Sequence, residues 1–270
     1  MKETDSTTAL IPRLHLFELL DQDWYPRVLR DLGTDYLHTV SEKTGAFDAA
    51  MDVLAQALRA SGSQELLDLG SGGSGPLPRL CRMLESEYGL KPHVVLSDLY
   101  PTTNAAERAR AHGVDYLEQP VDATRVPPEL RGMRTLFNAL HHFRPEQARQ
   151  VLADAQARGV PFAAFEIMRR TPAGILGMLP VPLMVWLFTP LIRPLTPLRL
   201  LLTYVLPVAP LASLWDGLVS AFRAHRPEEL RTMTASLARE GYTWEVGEVK
   251  RRGRPTVTYV LGMPTARANS

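Results

Sequence analysis

LLDLGSGGSGPLPRL, residues 66–80, decides the fold. A short run over 65–69 opens on Glu65 and carries a second acid, Asp68, among three leucines into a turn of four glycines and two serines. Leu77 then opens a helical pattern that continues to Tyr88. Strand, bare turn and helix make the opening of a β-α unit, and the glycines let the backbone approach a ligand closely.

Reading outward from this stretch, the unit repeats. HVVLS (93–97) is a second strand ending at Asp98, followed by a helix over 103–112. A third strand spans 114–117, a fourth 135–138, a helix 145–157 and a fifth strand 161–167. Strands alternating with helices predict a doubly wound, mostly parallel sheet, with the strand C-termini and their loops on one edge. A helix over 227–239 starts on Pro and stops before Gly241. Two last strands, 243–249 and 256–261, flank the tip KRRGRP and predict an antiparallel hairpin that brings the sheet to seven strands. Upstream, residues 1–12 are polar and read as loose. Over 13–60, apolar stripes predict a helical cap: Leu14, Phe17 and Leu20, then Val28, Leu29, Leu32, Tyr36 and Leu37, then Phe47, Met51, Leu54 and Leu58.

The bulk numbers set the frame. The chain has 270 residues, enough for one α/β domain with an insertion. Net charge is +1, so composition makes no case for nucleic acid as a partner. One cysteine, Cys81, excludes an intrachain disulfide framework and fits a reducing compartment. MKETDSTTALIPRL has no apolar core of a signal peptide, so the expected location is cytoplasmic.

Gly70, Gly72 and Gly75 match the dinucleotide pattern G-x-G-x-x-G. Asp98, at the end of the second strand, would accept hydrogen bonds from ribose hydroxyls of a dinucleotide or of S-adenosylmethionine alike. Asp68 discriminates. A carboxylate two residues before the first glycine repels a pyrophosphate and suits an ammonium or a sulfonium. Asp122, past the third strand in Val121-Asp122-Ala123, is placed to take an adenine amino group.

With these pieces together, the sequence resembles the class I S-adenosylmethionine-dependent methyltransferases, over roughly residues 60–170 and 225–265. Asp68-Leu-Gly70-Ser-Gly72 is similar to the family's first motif, and Phe137-Asn-Ala-Leu-His-His-Phe143 to its motif after the fourth strand. The resemblance implies a Rossmann-like fold. It implies a cofactor site made of Asp68, Gly70, Ser71, Gly72, Gly73, Asp98, Leu99, Asp122, Ala123 and Asn138. One departure stands out: where the family has a third glycine, this chain has Ser74 between Gly73 and Gly75. The domain plan is a cap (1–60), a cofactor-binding half (61–170), an insertion (171–224), and a last helix with its hairpin (225–270).

Methyl transfer from a sulfonium is an in-line displacement, and the protein mainly aligns donor and acceptor and excludes water. A base is needed when the acceptor is a phenol or alcohol, not when it is a carboxylate. His141 and His142 are the candidates for that base; the same pair also suits the wall of the cofactor pocket. Tyr25, Glu166, Trp186, Tyr204 and Asp216 are the candidate substrate contacts. Trp24, Tyr25 and Tyr36 suit either a sulfonium, through their faces, or simple packing. Asn138 is followed by Ala-Leu-His rather than Pro-Pro-Tyr, which argues against nucleic-acid amino groups as acceptors. No cluster has the spacing of a metal site, so none is expected. The expected activity is methylation of a small, largely hydrophobic acceptor, at oxygen first. The alternatives are an NAD(P)-dependent oxidoreductase, for which no Tyr-x-x-x-Lys pair is present, and a non-catalytic membrane- or partner-binding module that keeps the cofactor pocket.

Residues 173–192, AGILGMLPVPLMVWLFTPLI, carry no charge, and three internal prolines argue against one spanning helix. Three readings fit the region 173–212: a lid of short helices over an apolar substrate, which is favoured, a homodimer face, or peripheral membrane contact through residues such as Trp186, Arg193, Arg199 and Tyr204.

Overall fold

The computed structural model describes residues 11–101 and 103–265. Seven strands form one sheet in the order β3-β2-β1-β4-β5-β7-β6. They are β1 (Glu65–Leu69), β2 (His93–Ser97), β3 (Asp115–Tyr116), β4 (Met133–Phe137), β5 (Phe162–Glu166), β6 (Tyr242–Val249) and β7 (Val257–Pro264). β1 to β5 are parallel; β7 runs antiparallel between β5 and β6. The expected seven-stranded sheet with its terminal hairpin is therefore observed. β1 lies between β2 and β4, so the strand order reverses beside it. Ligands of doubly wound sheets bind at such a point, and the glycine turn leaves β1 there.

The helices, in chain order, are α1 (Arg27–Thr44), α2 (Met51–Ser61), α3 (Leu77–Tyr88), α4 (Thr103–Ala111), α5 (Pro145–Ala157), α6 (Pro172–Leu176), α7 (Val181–Phe188), α8 (Pro197–Leu200), α9 (Val208–Arg223) and α10 (Pro227–Ala235). Alternate residues of each central strand feed two cores. Leu66, Leu96 and Phe137 pack with Met51, Leu54, Leu80 and Leu84 on the face of α2 and α3. Leu67, Leu69 and Leu136 pack with Val151, Leu152 and Leu230 on the face of α5 and α10. Two helix starts are capped from inside their first turn: the Gln147 carboxamide oxygen accepts from the Arg144 N–H at 3.1 Å, and Glu229 accepts from the Arg226 N–H at 2.9 Å.

The cap departs from expectation. Residues 1–10, read as loose, lie outside the described residues. Residues 11–18 are irregular rather than helical, followed by one 3₁₀ turn, Leu19–Asp21. The stripe Leu14-Phe17-Leu20 satisfies a helical period, but the backbone bonds go elsewhere. Leu14 N–H donates to the Phe222 carbonyl at 3.3 Å, and the Asp216 carboxylate accepts from Leu19 N–H (2.7 Å) and Leu20 N–H (3.2 Å). The segment is a strap along α9.

α1 forms as expected but turns its polar face inward. Val28 and Leu37 are exposed, while Arg30, Asp35, His38 and Thr39 are buried with Tyr36. The reason is what α1 covers. It lies on the glycine turn and on α4, where His38 Nδ1 sits 3.1 Å from the Gly75 carbonyl and Asp35 pairs with Arg108 and Arg199. Tyr36 packs against Val185 of α7 and Ile192 beyond it rather than on the sheet.

Candidate functional site

The site begins at the end of β1. Asp68 is buried, and both of its oxygens accept from hydroxyls: Thr135 Oγ1 at 2.7 Å and Ser71 Oγ at 2.6 Å. Burial pushes its carboxyl up to about 7; the two hydroxyls resist this, and nearby Asp98 adds to it. Neither hydroxyl brings a positive charge, so the position favours a cation.

The turn that follows is shaped by two close approaches. A Cβ on Gly73 would stand 2.8 Å from the Thr34 carbonyl oxygen of α1, so this glycine is required by the cap. Ser74, in the place of the expected third glycine, has φ 87, the left-handed region that glycine adopts more readily. Its N–H bonds the Ser71 carbonyl at 3.0 Å and its hydroxyl the Ala105 carbonyl at 3.3 Å, which hold it there. Gly70 faces Ala139, whose methyl group leaves no more than a bare backbone requires.

Asp98 folds toward the turn. Its carboxylate accepts from Gly72 N–H at 2.7 Å and Tyr100 N–H at 2.8 Å, while Leu99 stands exposed beside it. Val121 N–H bonds the Asp98 carbonyl at 2.9 Å, which brings the Val121-Asp122-Ala123 turn to the same edge. Ala123 is buried there; Asp122 is exposed and accepts from the N–H and hydroxyl of Thr124. Asn138, with φ 53, ties β4 to β5: its N–H donates to the Phe165 carbonyl and its carboxamide oxygen accepts from Ile167 N–H. The structure thus brings Asp68, Gly70, Ser71, Gly72, Asp98, Ala123 and Asn138 to one edge.

A second constellation adjoins the first. His141 Nδ1 lies 2.7 Å from Glu166 Oε2, and the other Glu166 oxygen accepts from Leu140 N–H at 2.6 Å. A carboxylate only accepts, so the proton of a neutral His141 sits on Nδ1 and the lone pair on Nε2. That Nε2 is buried and has no hydrogen-bond partner among the described residues. Burial favours the neutral acid at Glu166, but His141 and the Leu140 N–H outweigh it and hold the carboxyl below its usual range. β5 ends on Glu166 and β4 runs into the 140–142 turn, so strand pairing sets this distance.

The strap closes over both histidines. Glu18 Oε1 stands 3.8 Å from His141 Nε2, and Asp21 Oδ1 lies 2.7 Å from His142 Nδ1. Arg223 bridges the two acids, donating to Glu18 at 2.9 Å and Asp21 at 2.6 Å, and also reaches the His142 carbonyl at 2.9 Å. Arg13 donates to the carbonyls of Arg223, His141 and Phe143. Burial works against a charged His142, yet Glu18 and Asp21 outweigh it and push the ring up to about 9. Asp21 is half-buried, and His142 and Arg223 hold its carboxyl well below the usual range. The raised His142 value gives a signed expectation. The folded ring keeps its proton above the unfolded 6.5, so this pairing stabilises fully below that pH and is lost as pH rises through about 9. Thermal melts over this window should fall more steeply for the wild type than for His142→Gln, and equal slopes would refute the pairing.

Ligand atoms of Glu18, His141 and His142 lie within 4.8 Å of one another, a group whose spacing is invisible in sequence. Arg223 occupies Glu18 and Asp21 occupies His142, so protein cations and acids already serve as partners for this donor set.

The remaining predicted residues sit around the strap and lid. Tyr25 is buried edge-on to Trp24, and burial pushes its hydroxyl up to about 12. Asp216 has both oxygens engaged by the strap backbone, and it does not pair with Arg223. Trp186 and Tyr204 are exposed and bond within the lid: Trp186 Nε1–H donates to the Thr203 carbonyl, and the Tyr204 hydroxyl to the Trp186 carbonyl. Sequence reasoning missed Glu18, Asp21 and Arg13. The available signal was two acids three residues apart inside the otherwise apolar FELLD.

No family model matches the chain, and no curated protein sequence is a significant match. Solved structures do match. The plantazolicin methyltransferase BamL, in complex with a triazolic desmethylPZN analog and SAH, superposes with TM-score 0.52 at 10% identity, over 88% of this chain and 98% of that one. The plantazolicin methyltransferase BpumL in complex with SAH gives TM-score 0.52 at 9% identity, over 88% and 98%. At such identities the likeness is one of architecture: the chain has the seven-stranded methyltransferase fold, and its glycine turn lies at the ligand edge of that sheet.

Proposed function

We propose that the chain is an S-adenosylmethionine-dependent methyltransferase that acts at oxygen on a small, largely hydrophobic acceptor. The observation that carries this reading is His141, whose Nδ1 is held by Glu166 while its buried Nε2, without a hydrogen-bond partner among the described residues, faces the strap. A histidine so held can take one proton from a hydroxyl, which is the protein chemistry that O-methylation needs. The fold supports the same reading, as does Asp68, whose partners are two hydroxyls and no cation.

The cofactor supplies an activated methyl group when bound. Asp68 would meet its positive charge, Gly70 and Gly72 would let the backbone approach it, and Asp98 has free lone pairs for ribose hydroxyls. Ala123 and Leu99 would wall the adenine. Glu166 orients His141, and His141 Nε2 accepts the acceptor's proton. An acceptor hydroxyl would need the place opposite Nε2 that Glu18 holds, so acceptor binding requires the strap to shift. Burial of the site by strap and lid excludes water, which suits a displacement that hydrolysis would otherwise compete with.

Calorimetric titration of the purified chain with S-adenosylmethionine, S-adenosylhomocysteine and NAD(H) tests the cofactor. The first two should bind and NAD(H) should not; binding of NAD(H) alone would overturn the reading of Asp68. Asp98→Ala should weaken S-adenosylmethionine by about tenfold or more, on the scale of roughly 1.4 kcal/mol per decade. Unchanged affinity would remove the ribose contact from Asp98.

A further inference from the structure

The lid presents an apolar surface that the folded chain leaves uncovered. Most of the exposed large hydrophobic side chains among the described residues lie between Leu176 and Leu211, with Val205 at 70%, Leu176 at 62% and Leu187 at 60% exposure. Monomeric proteins rarely keep such a contiguous patch in water. From Ile167 to Trp215 the sequence carries no acidic residue. Of its four arginines, Arg169 pairs with Glu248, Arg170 with Glu229 and Arg199 with Asp35, which leaves Arg193 exposed.

Several hydroxyl and indole donors of this layer bond within the protein, although Arg199 Nε, Arg170 Nε and Arg170 Nη1 are buried without a hydrogen-bond partner among the described residues. Besides Trp186 and Tyr204, the Thr189 hydroxyl donates to the Val185 carbonyl at 2.7 Å, and Trp215 Nε1–H to the Phe17 carbonyl at 3.0 Å. Thr171 and Thr196 accept from the N–H groups of Gly174 and Arg199, capping α6 and α8. A protein partner ordinarily meets about one hydrogen bond per 100–200 Å² of interface. A surface whose hydroxyl and indole donors bond internally suits hydrocarbon, where every orphaned polar group is costly.

A second feature supplies charge. β5 ends at Glu166, which pairs with Thr258 of β7, so the lid and the β6–β7 tip leave the sheet at the same edge. The tip exposes Lys250, Arg251 and Arg252. Its Arg254 donates to the Thr44 carbonyl and lies 3.2 Å from Asp48, which fastens the tip to the C-terminal end of α1. α7 packs along the same helix through Tyr36 and Val40. Apolar layer and basic tip thus share one supporting helix.

We infer that the lid and the 250–254 tip together form a docking surface for a bilayer that carries anionic lipid. Among the described residues no single helix is long and apolar enough to cross, and the one pair that would qualify by composition, Pro197–Val205 and Val208–Arg223, is bent by 68°. Short helices of this kind lie in the interface and bury one face. Anionic headgroups attract the basic tip, each Lys or Arg near the surface contributing about fivefold in partitioning.

Vesicle flotation of the full chain tests this, with phosphatidylcholine alone and with phosphatidylcholine containing phosphatidylglycerol. Binding should be stronger to the mixed vesicles. Leu183→Glu with Leu187→Glu should lower partitioning to both by about tenfold or more. Lys250→Glu with Arg251→Glu and Arg252→Glu leaves the apolar side chains of the lid unchanged, and should remove the preference for phosphatidylglycerol while leaving the weaker binding to phosphatidylcholine. Circular dichroism of each variant establishes that it folds. No flotation of the wild type, or tip-variant binding that keeps its anionic preference, overturns the inference. So does a dimer in sedimentation velocity that the lid variant splits without any vesicle binding, which assigns the face to a second copy.

Discussion

His141→Asn should lower the turnover number by roughly a hundred- to ten-thousand-fold, the usual range for loss of a positioned general base. The substitution keeps a polar side chain of similar reach but removes the lone pair at Nε2. Asp68 and Asp98 are untouched, so affinity for S-adenosylmethionine should change little. Glu166→Gln tests positioning separately. A carboxamide oxygen can still accept from Nδ1–H, but the charge that stabilises a protonated ring is gone, so turnover should fall and the acid limb of its pH profile should move down. The readout is transfer of a labelled methyl group to lipophilic phenols and quinols, with cofactor binding measured in parallel. Full turnover by His141→Asn, with wild-type cofactor affinity, would end the proposal of a base at this position. It would leave the pair as a wall of the pocket.

Arg223→Ala should destabilise the chain by about 3–5 kcal/mol, the scale for removing one partner of a buried ion network. Arg223 and Glu18 are almost fully buried, and Asp21 is mostly so. Without the guanidinium, two carboxylates face each other with His142 as their remaining counter-charge, and the carbonyl of His142 loses a donor. His15 is affected as well. Arg223 donates toward its Nε2 at 3.1 Å, while burial and Arg223 push that ring down to about 4, so in the native state it is a neutral acceptor. Arg223→Lys should recover only part of the loss, because a point charge cannot span both acids. Adding Glu18→Gln and Asp21→Asn to Arg223→Met should recover more, since the uncompensated charges then disappear. Denaturant unfolding gives the free energies, and hydrogen exchange over 11–26 shows whether the strap lifts first. An unchanged unfolding midpoint for Arg223→Ala would sink the account of the strap as an ion-paired closure.

Both expectations rest on residues that differ in how well the sequence exposed them. Asp68, Asp98 and the glycine turn were readable because the ligand edge of a parallel sheet is built from contiguous strand ends, and each end carries its own local signal. His141 and His142 were readable as candidates for the same reason. Their proposed roles were not, because His141 is oriented by Glu166 at a separation of 25 residues and faced by Glu18 at more than a hundred. Asp216 stood out as an acid in an apolar helix, yet its partners are the N–H groups of Leu19 and Leu20, almost 200 residues away. The cap misled the helical reading because period alone does not say where backbone hydrogen bonds go. The strap has its apolar residues at helical spacing, and its N–H groups nevertheless bond to α9.

What the sequence by itself determined is the alternation of strands and helices over 65–166, the terminal hairpin and hence the seven-stranded sheet, with the glycine turn at the C-terminal end of its first strand. These follow from period, glycine and proline placement and short-range connectivity, all encoded within windows of a dozen residues. What only the tertiary structure decided is the closure: a strap laid over two histidines, an arginine from α9 neutralising its acids, and an inserted helical layer whose indoles bond inward while many of its leucines face out. Those depend on pairings between residues far apart in the chain. Burial then sets the charge states of these groups, because a buried acid or imidazole takes its pKa from whichever neighbours the fold delivers.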